Sequence, residues 1–188
     1  MDYRFYAILL VSSIVIGNTA AFVQHLDPIK RAQRHLAPTE SLYNTYMLSE
    51  GLGALICGLL AFFFRFDVNQ FFFGIVGATM SILGYLICEF FDSLYVSSIF
   101  IASSSGIWWV IAPIIAYDYF GPKSFAGVWG SIFTANFFGM IAANAVFNAF
   151  WTGKDGALYA IILIYFFASS IAVAIAAFVL KKEQDDTK

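Results

Sequence analysis

Charged side chains are scarce: they make up 12% of the 188 residues, about half of the roughly 25% found in a soluble domain. That shortage excludes an ordinary water-facing surface, and a formal net charge of −2 gives no basis for binding nucleic acid. Cysteine is nearly absent. Cys57 and Cys88 both fall inside apolar runs, which excludes a disulfide scaffold and leaves two buried thiols. The chain also lacks a glycine-rich nucleotide loop, a Ser–His–Asp grouping and any compact His/Cys/acid ligand spacing. The sequence therefore predicts no enzyme, no catalytic residues, no cofactor and no metal site.

What is present is apolar length. Hydrophobic residues make up 61% of the chain, gathered into six stretches at about 5–24, 43–64, 71–90, 94–117, 125–150 and 157–180. Each is about 20 residues or longer, enough for an α-helix to cross a ~30 Å hydrocarbon core at 1.5 Å per residue. A soluble all-α protein would need polar helix faces, and these segments have few. The expected fold is an all-α membrane protein: one transmembrane domain over residues 1–188, with six helices in the lipid bilayer. The first run is too long for a cleaved signal peptide and continues through Phe22 and Val23, so it reads as an uncleaved helix.

With six spans, both chain ends lie on one side. That side carries Arg4, Arg65, Lys123, Lys181, Lys182 and Lys188, against Lys30, Arg31, Arg34 and Lys154 opposite. The bias places the termini in the cytoplasm, or in the matrix or stroma if the host is an organelle inner membrane rather than the plasma membrane. Tyr43, Tyr46, Tyr95, Tyr117 and Tyr119 fall near span ends, where amphipathic rings favour the headgroup zone. The longest connection, 25–43, holds His25, Asp27, His35 and Glu40 at spacings that suit no metal. It reads as a short amphipathic interfacial segment between Pro28 and Pro38.

Helices in lipid associate through close packing and hydrogen bonds. Small residues four apart mark expected contacts: Gly74 with Ala78, Gly77 with Ser81, Gly53 with Cys57, and Ala135, Gly139 and Ala143. The run 102–106 gives the fourth span a thin section, and Pro113 is expected to kink it. Polar groups at depth are costlier. Glu50 lies about two turns inside the second span, where a carboxylate must be neutral, paired or facing water. Asn18, Asn136, Asn144 and Asn148 will seek partners across helix interfaces.

The stretch SSSGIWWVIAPIIAYDYFGPKSFAGVWGSIFTANFFGMIAANA, residues 103–145, resembles the tenth and eleventh helices and connecting loop of major facilitator superfamily transporters. The nearest likeness is to the oxalate/formate antiporter, nodulin-like and monocarboxylate-type groups. Tyr119–Phe120–Gly121–Pro122–Lys123, followed by Phe125, Gly127 and Gly130, carries it. In this reading Gly121–Pro122 makes the turn, Lys123 faces the headgroups, and Gly127 with Gly130 lets the next helix approach its neighbour. The resemblance implies the carboxyl-terminal half of such a fold, a 3+3 inverted repeat, although no sequence echo links residues 1–90 with 94–180. Residues 60–67 retain only Arg65 and Asp67 of the usual Gly–Asp–Arg gating motif. Asn136 stands where oxalate-type members carry a basic residue, and Ala54 aligns near their second-helix Arg. A dicarboxylate therefore has no charge partner at midplane.

The function expected from the resemblance is half of a small-solute transporter, completed by a homodimer partner or another half. Asn18, Glu50, Trp108, Tyr117 and Asn136 would line the pathway, with Glu50 as the proton or cation site, and Gly121, Pro122, Lys123, Gly127, Gly130 and Gly139 would form the loop and packing motif. The competing expectation is a structural subunit, surrounded by other membrane subunits, that has kept the fold without the transport.

Overall fold

The computed structural model describes residues 3–32, 38–64, 69–91, 93–150 and 170–182. Every regular element among them is a helix: α1 (Tyr3–Gln24), α2 (Leu26–Ala32), α3 (Thr39–Phe63), α4 (Phe71–Phe90) and α5 (Leu94–Phe150), with α6 over 170–182. Four of these, α1, α3, α4 and α5, are long and apolar enough to cross a membrane. This is the architecture of an integral membrane protein.

At 57 residues, α5 would reach roughly 85 Å if straight, almost three bilayer cores. It does not run straight. Gly121 adopts φ 72 and ψ 169, a left-handed conformation that glycine reaches without a Cβ clash. Pro122 then opens the next limb, where its missing N–H costs no helical bond. The chain doubles back there. Tyr117 meets Phe125 with ring centroids 5.8 Å apart, four residues either side of Gly121, and Trp109 meets Phe133 at 6.0 Å, twelve residues either side. We call the limbs α5a (94–120) and α5b (122–150). The expected connection at 118–124 is thus a single-residue break between two helices. Pro113 stays within helical backbone, Gly121 being the non-helical residue in this stretch.

The α5a limb is the centre of the bundle. Of the most apolar window in each helix, 61% is buried for α5 but only 22% for α3, and α1, α3 and α4 each pack chiefly on α5. Ile101, Ala102, Ser104, Trp108, Ile111 and Ala116, all buried, point in several directions around α5a, as expected of a helix enclosed by others. By contrast, Leu48, Leu55, Leu59 and Phe62 of α3 are at least half exposed, and form its lipid-facing side.

Contact pairs fix the directions. Along α3 and α5a, the Tyr95 hydroxyl donates to Ser41 Oγ at 2.9 Å, and Gly58 lies beside Val110, so these helices run parallel. Along α4 and α5a, Gly84 lies beside Ile101 and Gly77 beside Ile107, so these run antiparallel. Arg4 sits over the Tyr119 ring at 5.6 Å, and Asn69 Nδ2 donates to the Lys181 carbonyl at 3.3 Å. Residues 4, 69, 119 and 181 therefore share one end of the bundle, as alternating spans require.

The helix boundaries have local causes. Asn69 Oδ1 accepts the Phe71 amide at 3.0 Å, satisfying one of the orphan donors at the start of α4. α3 begins after extended Pro38, four residues earlier than residue 43. The short α2 buries Leu26 and Ile29 and leaves Arg31 in solvent, which matches the expected amphipathic segment. Thr39 ties it down, donating to Asp27 and accepting from Lys30 Nζ at 2.9 Å. The sixth expected span, 157–180, lies mostly outside the described residues. Its described part buries Val173, Ala177 and Leu180, and Ser170 meets Ser81 of α4 at 3.2 Å.

Candidate functional site

Because α3 begins at Thr39, Glu50 lies eleven residues in, roughly 16 Å along the axis and about half-way through a ~30 Å core. It is partly buried, and its Oε1 accepts the Ser105 hydroxyl at 2.6 Å. Ser105 and Glu50 are also polar neighbours of the Tyr46 hydroxyl, which donates to the Thr19 carbonyl of α1 at 3.2 Å. Glu50, Ser105, Tyr46 and Thr19 thus form one polar cluster drawn from three helices. No lysine or arginine occurs within the apolar stretches, so hydroxyls are what the chain offers it there.

Glycine sets this geometry. A methyl group at Gly106 would collide with the Glu50 carbonyl oxygen, and one at Gly53 would come within 2.8 Å of Ser103 Cα. The backbones of α3 and α5a therefore touch, and any larger residue at the crossing would separate Ser105 from Glu50. A second crossing, between α1 and α5b, has the same construction. A methyl at Gly17 would lie 2.5 Å from the Gly139 carbonyl oxygen, and one at Gly139 would strike the Ser13 carbonyl. These are close small-residue contacts of the kind that drive helix association in lipid.

The two crossings correspond. Gly106 follows Gly17 by 89 residues, and Gly139 follows Gly53 by 86. Glu50 precedes Gly53 by three positions, and Asn136 precedes Gly139 by three. A polar side chain thus stands three positions before a glycine contact in each pair. They differ in satisfaction: Asn136 is 2% exposed, and neither of its amide atoms has a hydrogen-bond partner among the described residues.

The expected pathway residues do not share one cavity. Asn18 is buried beside Thr19 and lines a cleft of about 420 Å³ between α1 and α5b with Ser13, Ala135 and Gly139. Trp108 is 1% exposed and its indole lies over Gly74 and Gly77 of α4, filling the thin stripe expected there. Tyr117 stands apart near the Gly121 bend, on a separate cleft of about 500 Å³ with Gly58, Ala61 and Pro113.

Two readings need correction. Tyr46, expected at the headgroups, is 2% exposed and spends its hydroxyl inside the bundle, because it shares the inward face of α3 with Glu50 one turn on. Gly127 and Gly130, expected to admit a neighbouring helix, have nothing within 4 Å among the described residues, and the same holds for Gly121 at the turn. The close approach of that limb lies at Gly139 instead. Lys123 is exposed beside the bend. Residues the sequence reading did not place in the pathway include Gly17, Ser105 and Tyr46. The Ala102–Gly106 run marked Ser105 as a thin place, but nothing local paired it with Glu50.

Comparison with protein-family models, with curated proteins and with solved structures returns no match. Among the described residues, no three His, Cys, Asp or Glu side chains gather to hold a metal.

Proposed function

We propose that these helices form one half of a facilitator-type transporter that moves a small solute across a membrane together with a second half, either another copy of this chain or a partner. The observation that carries this reading is the pair of matched glycine crossings, α3 on α5a and α1 on α5b. Each holds a polar side chain, Glu50 or Asn136, three residues from the contact. Crossings related by a shift of 86 to 89 residues, between helices that alternate in direction, are what a three-helix unit repeated in inverted orientation would produce. Glu50 is then the site of the coupling proton or cation, since a mid-membrane carboxylate without a cationic side chain needs one. Asn136 supplies hydrogen bonds to the solute. The lack of basic residues in the spans favours a neutral or cationic solute over an anion.

The test is accumulation of radiolabelled small polar solutes in proteoliposomes under an inward proton or sodium gradient. Wild-type protein is expected to accumulate at least one of them, and Glu50→Gln to reduce gradient-driven accumulation tenfold or more. If no solute accumulates and the protein leaves the membrane only as part of a larger assembly, it is a structural subunit.

A further inference from the structure

The cleft beside the Gly121 bend is a space that the transport reading leaves unused. It holds about 500 Å³ between α3, α5a and the start of α5b. Small residues make it. The shifts of 86 and 89 residues that relate the glycine crossings relate other features as well. Gly53 and Cys57 line one mid-depth cleft together with Ile107, and Gly139 and Ala143 line another together with Asn18. The same register carries Gly58 to Asn144, Ala61 to Phe147 and His25 to Ile114. At the far end of the bundle the His25 ring stacks flat on Phe147, centroids 3.8 Å apart and planes 3° from parallel. Its Nε2 lies 2.9 Å from Asn144 Oδ1. Ring, phenyl and amide fill that junction. At the bend, Gly58 and Ala61 stand where the amide and the phenyl would be. A Cβ at Gly58 would meet only the Val110 side chain among the described residues, at 3.8 Å. Residue size therefore builds the cleft, and its counterpart shows that a planar ring suits such a place.

The lining decides what ring it suits. Tyr117 and Phe125 meet edge to face, centroids 5.8 Å apart and planes at 70°, and Phe62 adds a third aromatic side chain at the exposed rim. Aromatic faces carry negative charge density and attract cations. Asp118 is the one charged side chain among the described lining residues, and Lys123, across the bend, is not one of them. Gly58, Ala61, Pro113 and Ile114 make the remaining wall apolar. Each electrostatic feature of the lining thus favours positive charge, while the wall has nothing to offer an N–H group. A compact ammonium would give up a strong hydration shell to enter. A quaternary ammonium has no N–H to satisfy, and aromatic side chains are the usual means of recognising one.

We propose that this cleft is a binding site for a lipophilic organic cation, a quaternary ammonium carried on an aromatic body. Glu50 is not among its lining residues, and the site does not rest on the transport reading. The experiment titrates ethidium, a planar quaternary cation whose fluorescence rises on leaving water, into full-length protein in dodecyl maltoside. Saturable binding is expected. Asp118→Asn should weaken it tenfold or more, and Gly58→Leu, which fills the cleft, should abolish it. The uncharged phenylphenanthridine ring system, added at equal concentration, should not displace the dye. Should Gly58→Leu fail to fold, as judged by thermal unfolding, Tyr117→Leu asks the same question and should weaken binding fivefold or more. Phosphatidylcholine separates two sources of the same chemistry. Ethidium that stays bound in a hundredfold excess of that lipid supports a free cation, whereas its displacement gives the site to a choline headgroup and overturns the proposal. Binding unchanged in either folded variant, displacement by the uncharged ring, or no binding to the wild type also overturns it. Ethidium held in this cleft by protein that accumulates no solute would remove the transport reading and leave this one standing.

Discussion

A buried amide with no partner is expensive, and Asn136 is the clearest instance among the described residues. Both of its side-chain polar atoms are enclosed, on a helix whose neighbouring buried residues are Ile132, Ala143 and Phe147. Leaving such a group unsatisfied costs about 1–3 kcal/mol, and replacing it with an apolar side chain of similar size removes that cost. Asn136→Leu is therefore expected to raise stability by about that amount, read as thermal unfolding in detergent, while lowering solute accumulation at least tenfold. Stability and activity would move in opposite directions, as they do where a site is held in a costly state for function. Destabilisation by this substitution would mean that the amide is ordinary interhelical glue. Glu50 differs because Ser105 already meets one of its oxygens.

At the scale of the helix, the crossings are what the glycines determine. Gly106 and Gly139 lie with their Cα atoms against carbonyl oxygens of the facing helix, whereas Gly127 and Gly130 on the same α5 have no described residue within 4 Å. The same substitution should thus have opposite effects along one helix. Gly106→Ala or Gly139→Ala forces two backbones apart, an overpacking cost of about 1–3 kcal/mol. Gly127→Ala and Gly130→Ala instead gain about 0.5–1 kcal/mol from restricting the unfolded chain and from helix propensity. Thermal unfolding of the four variants checks this, and equal losses at all four would show that α5b is covered along its whole length.

For the molecule as a whole, the uneven burial is the main fact. The α5a limb is enclosed, while α3 shows lipid or a partner most of its apolar side, and Phe133, Phe137 and Phe138 of α5b are more than half exposed. A half that rocks against another half needs a partner on such a face. Native mass measurement of protein extracted in mild detergent should give about twice the chain mass of 20.9 kDa, or a defined larger complex. A single copy that accumulates solute would end the half-transporter reading.

Much of this was readable before any coordinates. Apolar length alone located the long helices among the described residues, because no other arrangement satisfies the backbone of twenty consecutive apolar residues in lipid; 71–90 matches α4 residue for residue. Gly121–Pro122 announced its turn by the only local means available, a residue free to adopt positive φ before one that opens a helix. Glu50 and Asn136 declared themselves through the cost of polarity at depth. Which residues meet was another matter. The pairing of Glu50 with Ser105, of Tyr46 with Thr19 and of His25 with Asn144 joins positions 55, 27 and 119 residues apart. Small residues likewise show that a close approach is possible without saying which helix makes it, so Gly127 and Gly139 look alike in the sequence. Only the packed bundle distinguishes them, since a crossing depends on two surfaces and a sequence shows one helix at a time.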